Sequence, residues 1–120
     1  MEKRVLIVDD NRDAATMLSM LVSALGFETQ VVHDGLAAVS TAEEYRPQLV
    51  ILDISLPGID GREVARRIRQ QDWSQSTVIA ASTGWSREKL ADDLNESTFD
   101  HFLPKPASLE LLQSVLNSVR

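Results

Sequence analysis

The sequence predicts an α/β fold whose core is an open, parallel β-sheet. Short apolar runs alternate with amphipathic segments along the whole 120-residue chain, and this alternation is typical of strands joined by crossover helices. The run "PQLVILD" at 47–53 is almost continuously apolar, as expected for a parallel strand covered on both faces.

The first two strands are "RVLIVDD" at 4–10 and "FETQVVH" at 27–33. The helix predicted over 12–25 has one apolar face, formed by Ala15, Leu18, Val22 and Leu25. Asn11 is expected to cap this helix and Gly26 to end it.

A turn at Asp34-Gly35 is expected to lead into a second helix over 36–45, with Leu36 and Val39 inward. Gly61 opens the third helix, "REVARRIRQQ". Its inward residues are predicted to be Val64, Ala65 and Ile68, and its solvated residues Arg62, Arg66 and Arg69.

The C-terminal part is predicted to contain strands over 76–82 and 99–103 and a weakly amphipathic helix over 86–95. A last helix over 108–119, capped by Ser108, has an apolar face formed by Leu109, Leu112, Val115, Leu116 and Val119.

Length and composition indicate one domain over residues 1–120, without a linker, a repeat, a signal peptide or a membrane span. A cytoplasmic location is therefore expected. The chain has no cysteine, which excludes disulfides and thiolate metal sites. The net charge of -6 argues against direct nucleic acid binding by this domain.

Polar groups gather where the predicted strands end. Asp9 and Asp10 end the first strand, Asp53 the third and Thr83 follows the fourth, while the fifth runs into Lys105. Ligands of open α/β sheets bind at the carboxyl ends of the strands. If the first and third strands are neighbours, three carboxylates about 5 Å apart repel by about 3 kcal/mol per pair. Such an all-oxygen cluster suits Mg²⁺, and the added ammonium and hydroxyl groups suit phosphoryl transfer.

The order of these motifs resembles the receiver domain of two-component response regulators over essentially the whole chain. The matching features are "VDD" at 8–10, Asp53 to Pro57 with Gly61 following, "STG" at 82–84 and "KP" at 105–106. The resemblance implies a flavodoxin-like fold with a five-stranded parallel sheet in the order 2-1-3-4-5 and five helices on both faces.

By this resemblance Asp53 is the phosphoacceptor, which attacks a phosphohistidine or a small phosphodonor. Asp10 and Asp53 would bind Mg²⁺ (or Mn²⁺) directly and Asp9 mainly through water. The backbone carbonyl of Ser55 would complete the protein ligands.

The resemblance also assigns the groups that bind the phosphoryl oxygens. Lys105 and the hydroxyl of Thr83 would each contact one oxygen, and Gly84 would bring its backbone N–H close. A cis peptide at Pro106 would aim the ammonium of Lys105 inward. Thr83 and Phe102 would form the switch.

One position departs from the family pattern, and two others are positions that affect the phosphoryl group in the family. Phe102 lacks a hydroxyl, so it either switches by ring burial or is a plain core residue. Ser55 and Trp85 would flank the site entrance and affect the lifetime of the phosphoryl group.

His33 and His101 are isolated in the sequence and are assigned no role.

The resemblance implies a phosphoacceptor signalling domain that catalyses its own phosphorylation and dephosphorylation rather than a conventional enzyme. The donor would be a sensor histidine kinase or a histidine phosphotransfer protein. An unidentified downstream protein, or a second phosphorylated copy, would bind the face formed by 86–95, 99–103 and 108–119.

The alternatives are a Mg²⁺-dependent aspartyl-phosphate phosphatase and a degenerate receiver that acts as a constitutive binding module. Ser55 argues against the phosphatase because such enzymes commonly carry an acidic residue there.

Overall fold

A computed structural model describes residues 3–54, 56, 58–59, 61–83, 99–104 and 108–119. Its strands are β1 (Arg4–Val8), β2 (Glu28–Val32), β3 (Leu49–Asp53), β4 (Val78–Thr83) and β5 (His101–Pro104). They form one parallel sheet in the order β2-β1-β3-β4-β5, which confirms the predicted topology.

The described helices are α1 (Arg12–Ala24), α2 (Gly35–Tyr45), α3 (Gly61–Arg69) and α4 (Leu109–Asn117). A 3₁₀ turn at Asp72–Ser76, which was not predicted, precedes β4. The helix predicted over 86–95 lies outside the described residues. None of the described helices has both the length and the apolar character needed to cross a membrane.

The central strands are buried on both faces because their side chains alternate between two cores. Leu52 belongs to the core beneath α2 and α3. Its neighbour Ile51 belongs to the core beneath α1 and α4. This packing explains why the third strand is almost continuously apolar.

Side-chain caps begin three of the helices. Asn11 accepts a hydrogen bond from the Ala14 N–H at 3.0 Å, and Ser108 accepts one from Leu111 at 3.1 Å, as predicted. Asp34 does not form a simple turn; its carboxylate accepts from the Ala37 N–H at 2.8 Å and caps α2.

Two leucines predicted to point inward are exposed instead. Leu36 is 62% exposed and Leu109 is 51% exposed. Each lies in the first turn of its helix: Leu109 directly follows the cap Ser108, and Leu36 is the second residue after the cap Asp34. Burial in α2 is provided by Ala38 and Ala42, whose small side chains let the helix lie close to the sheet.

Arg69 was predicted to be solvated, but it connects three segments. Its guanidinium donates to the carbonyls of Ser74 at 3.0 Å and Thr77 at 2.6 Å. It also forms an ion pair with Asp100, whose carboxylate accepts from the Ile79 N–H at 2.9 Å. Arg69 therefore fixes the 3₁₀ turn against the start of β4.

Replacing Ser108 by alanine should lower the free energy of unfolding by about 1 kcal/mol, because the first turn of α4 loses its side-chain cap. Urea denaturation followed by circular dichroism measures the change. Ser40→Ala is the control, since Ser40 lies exposed within α2 and alanine there should be neutral or slightly stabilising. Equal stabilities of the two variants would contradict the capping role.

Candidate functional site

Three aspartates meet at the carboxyl edge of the sheet. Asp9 and Asp10 follow β1, and Asp53 is the last residue of β3. One carboxylate oxygen from each lies within 4.8 Å of the others. Asp9 and Asp53 are only 6% and 3% exposed, whereas Asp10 is exposed to solvent. The structure therefore brings together the acidic residues that the sequence singled out.

Asp53 is positioned by the strands beside it and by α3. It is paired in register with Ser82, and the next residue, Ile54, donates its N–H to the Ser82 carbonyl at 3.2 Å. The Gly61 N–H in turn donates to the Ile54 carbonyl at 3.1 Å. A Cβ atom on Gly61 would lie 2.6 Å from both the Asp53 carbonyl oxygen and the Ile54 Cα. Glycine is thus required for α3 to approach the strand end this closely.

Asp9 is held through both its backbone and its side chain. Its N–H donates to the Val32 carbonyl at 3.1 Å, which extends the pairing of β1 and β2. Its Oδ1 accepts from the Asn11 N–H at 3.0 Å. Its carbonyl oxygen lies 2.9 Å from Nδ1 of His33, a residue to which no role was assigned from the sequence. His33 follows β2, the strand that pairs with β1, so it lies at the same edge of the sheet as Asp9. This position is the signal from which a role near the site could have been predicted.

Thr83 lies at the same edge, as the last residue of β4, and is 1% exposed. Phe102 is partly buried against the core beneath α2 and α3. Its ring centroid lies 6.2 Å from that of Phe99, with an interplanar angle of 42°. This packing fits both predicted roles of Phe102.

Several predicted site residues lie outside the described residues, namely Ser55, Gly84, Trp85, Lys105 and Pro106. Their assignments stay predictions.

The donor set of the acidic cluster fits a divalent cation. Three carboxylates within 4.8 Å repel one another strongly, and hard oxygen donors are the ligands that Mg²⁺ prefers. Two of the three are nearly buried, so solvent screens their charge poorly. A cation at this place would relieve the repulsion.

Comparisons with known proteins point to one family. A family model described as "Response regulator receiver domain" matches residues 5–117. The DNA-binding response regulator MtrA of Mycobacterium tuberculosis is 36% identical over 106 residues, which cover 88% of this chain and 45% of MtrA. The polar-differentiation response regulator DivK of Brucella anthropi is 30% identical over 109 residues, which cover 91% of this chain and 89% of DivK.

A solved receiver domain has a similar fold over nearly the whole chain. The receiver domain of the sensor histidine kinase PA1611 from Pseudomonas aeruginosa, solved with magnesium in its active-site cleft, matches with a TM-score of 0.88 and 28% identity. The match covers 98% of this chain and 96% of that one. The chain spans about half the length of the MtrA proteins it matches.

Proposed function

Because the chain belongs to the response regulator receiver family, we propose that Asp53 is the residue that accepts the phosphoryl group. A receiver domain is a phosphoacceptor rather than a conventional enzyme. The observation that carries the proposal is the position of Asp53, nearly buried at the end of β3 with its carboxylate beside those of Asp9 and Asp10. A carboxylate there can act as a nucleophile if the charge around it is neutralised.

Asp10 and Asp53 would hold Mg²⁺ (or Mn²⁺) directly, Asp9 would hold it through water, and Ser55 would add its backbone carbonyl. When bound, the ion supplies positive charge next to the oxygens of the incoming phosphoryl group. Lys105 supplies a second positive charge, and the Gly84 N–H donates to a phosphoryl oxygen.

In the transfer, a carboxylate oxygen of Asp53 forms a bond to phosphorus while the bond from phosphorus to the donor breaks. For a phosphohistidine donor, the bonding electron pair leaves with the imidazole nitrogen. The product carries new negative charge, to which the hydroxyl of Thr83 donates a hydrogen bond. Thr83 and Phe102 would couple this event to β5 and α4, which with residues 86–95 are the predicted binding face.

The biological donor would be a sensor histidine kinase or a histidine phosphotransfer protein in the cytoplasm. A downstream protein, or a second copy of the chain, would read the phosphorylated face. MtrA is a DNA-binding regulator about twice as long as the matched segment. The net charge of -6 favours protein partners, not DNA, for this domain.

Incubation with acetyl phosphate and Mg²⁺ should add one phosphoryl group to the protein, as measured by intact mass. Asp53→Asn should abolish the gain, because an amide is not a nucleophile comparable to a carboxylate. EDTA should abolish it as well, because the repulsion within the acidic cluster is then unrelieved.

The matched control is Asp72→Asn, which changes an exposed aspartate in the 3₁₀ turn and should label like the wild type. Label that persists in Asp53→Asn would refute the assignment of the phosphoacceptor. Absence of label in every protein would favour a constitutive binding module, and rapid multiple turnover of acetyl phosphate would favour a phosphatase.

A further inference from the structure

His33 contacts the acidic site through the backbone of one of its aspartates. The residue follows β2, the edge strand that pairs with β1, and its side chain is half-buried. Its Nδ1 lies 2.9 Å from the carbonyl oxygen of Asp9. A carbonyl oxygen only accepts hydrogen bonds, so Nδ1 of His33 carries the hydrogen and donates it.

This hydrogen bond is one of three described contacts that hold Asp9. The Asp9 N–H donates to Val32, and its Oδ1 accepts from the Asn11 N–H. With the His33 contact, the backbone of Asp9 is held on both sides of its Cα atom, and one carboxylate oxygen is held as well. The backbone contacts fix the direction of the Asp9 Cα–Cβ bond, and the Asn11 contact restricts the rotation of the carboxylate.

We propose that His33 is a positioning residue, whose Nδ1–H holds the backbone of Asp9 so that its carboxylate faces the cation site. This inference rests on the proposed function, because it concerns the same Mg²⁺ site. Groups that orient metal ligands from outside the coordination sphere commonly affect metal affinity strongly. His33 itself binds neither the metal nor the phosphoryl group.

The test compares three substitutions that separate the donor from the ring. His33→Leu removes the donor, His33→Asn keeps an N–H close to the place of Nδ1, and His33→Gln moves it one bond further out. Calorimetric titration with Mg²⁺ should show an affinity about tenfold weaker for His33→Leu. His33→Asn should restore most of the affinity, and His33→Gln less.

A second readout needs no metal. Because the Asn11 N–H donates to the Asp9 carboxylate, its amide resonance should shift in His33→Leu and return towards the wild-type position in His33→Asn. The matched control is His101→Leu. His101 is also half-buried and bonds through Nε2 to the Ser118 hydroxyl at 3.0 Å, but it begins β5, at the opposite edge of the sheet. This control should lose stability without changing Mg²⁺ affinity.

The outcomes separate this inference from the function on which it rests. A wild-type protein that neither binds Mg²⁺ nor takes up label overturns both. A wild-type protein that does both, with unchanged affinity in His33→Leu, overturns the role of His33 alone. Equal losses in His33→Leu and His33→Asn would also overturn it, because the ring rather than the donor would then matter.

Discussion

Gly61→Ala is expected to lower the free energy of unfolding by about 2–3 kcal/mol, a large effect for the addition of one methyl group. The new Cβ would lie 2.6 Å from the Asp53 carbonyl oxygen and 2.6 Å from the Ile54 Cα. Both are backbone atoms of a central strand end, so they cannot rotate away as a side chain could. The helix α3 or the end of β3 must move.

The cost at Gly61 comes from a lack of space for the new methyl group and not from the backbone conformation. Gly58→Ala is the matched comparison: its φ is +78°, but an added Cβ meets no atom within 4 Å. Its cost should be about 1 kcal/mol, the strain of a left-handed alanine. Urea denaturation followed by the fluorescence of Trp73 and Trp85 measures both variants.

The displacement should also affect the phosphorylation of Asp53, because the Gly61 N–H donates a hydrogen bond to the carbonyl of Ile54, the next residue in the chain. In the absence of urea, where Gly61→Ala remains folded, its rate of phosphorylation by acetyl phosphate should be lower than that of Gly58→Ala. A Gly61→Ala protein as stable as Gly58→Ala would show that α3 does not approach the strand as closely as the structure indicates.

Most of the architecture follows from patterns that are local in the sequence. The doubly buried strand at 47–53 and the polar residues that end the strands predicted a parallel sheet with an acidic edge, and Asp9, Asp10 and Asp53 do meet there. The strand order came from the likeness to a family. Apolar alternation alone does not specify which strands are neighbours.

The errors about the leucines have one physical reason: periodicity shows which face of a helix is apolar but not where the core ends. Leu36 and Leu109 are on apolar faces by spacing, yet each lies in a first turn and is more than half exposed. Arg69 and His33 were missed because their partners are carbonyls of other segments. Such contacts depend on tertiary geometry.

Asp10→Asn is expected to have opposite effects on the stability of the protein with and without Mg²⁺. The exposed Asp10 carboxylate lies within 4.8 Å of two nearly buried ones. In EDTA, its removal relieves repulsion and should raise the free energy of unfolding by about 0.5–1 kcal/mol, a value reduced by solvent screening. In Mg²⁺ the wild type gains about 2.7 kcal/mol at a concentration 100 times its dissociation constant, and the variant should gain far less.

Asp10→Asn should therefore unfold at a higher urea concentration than the wild type in EDTA, and at a lower one in saturating Mg²⁺. Asp13→Asn is the control, because Asp13 is an exposed aspartate in the first turn of α1. Its removal weakens a favourable interaction with the helix dipole, so this variant should lose a few tenths of a kcal/mol in both conditions. If Asp10→Asn is less stable than the wild type in EDTA, the three carboxylates do not repel one another as their spacing requires. The argument that a cation lies between them then loses its electrostatic basis.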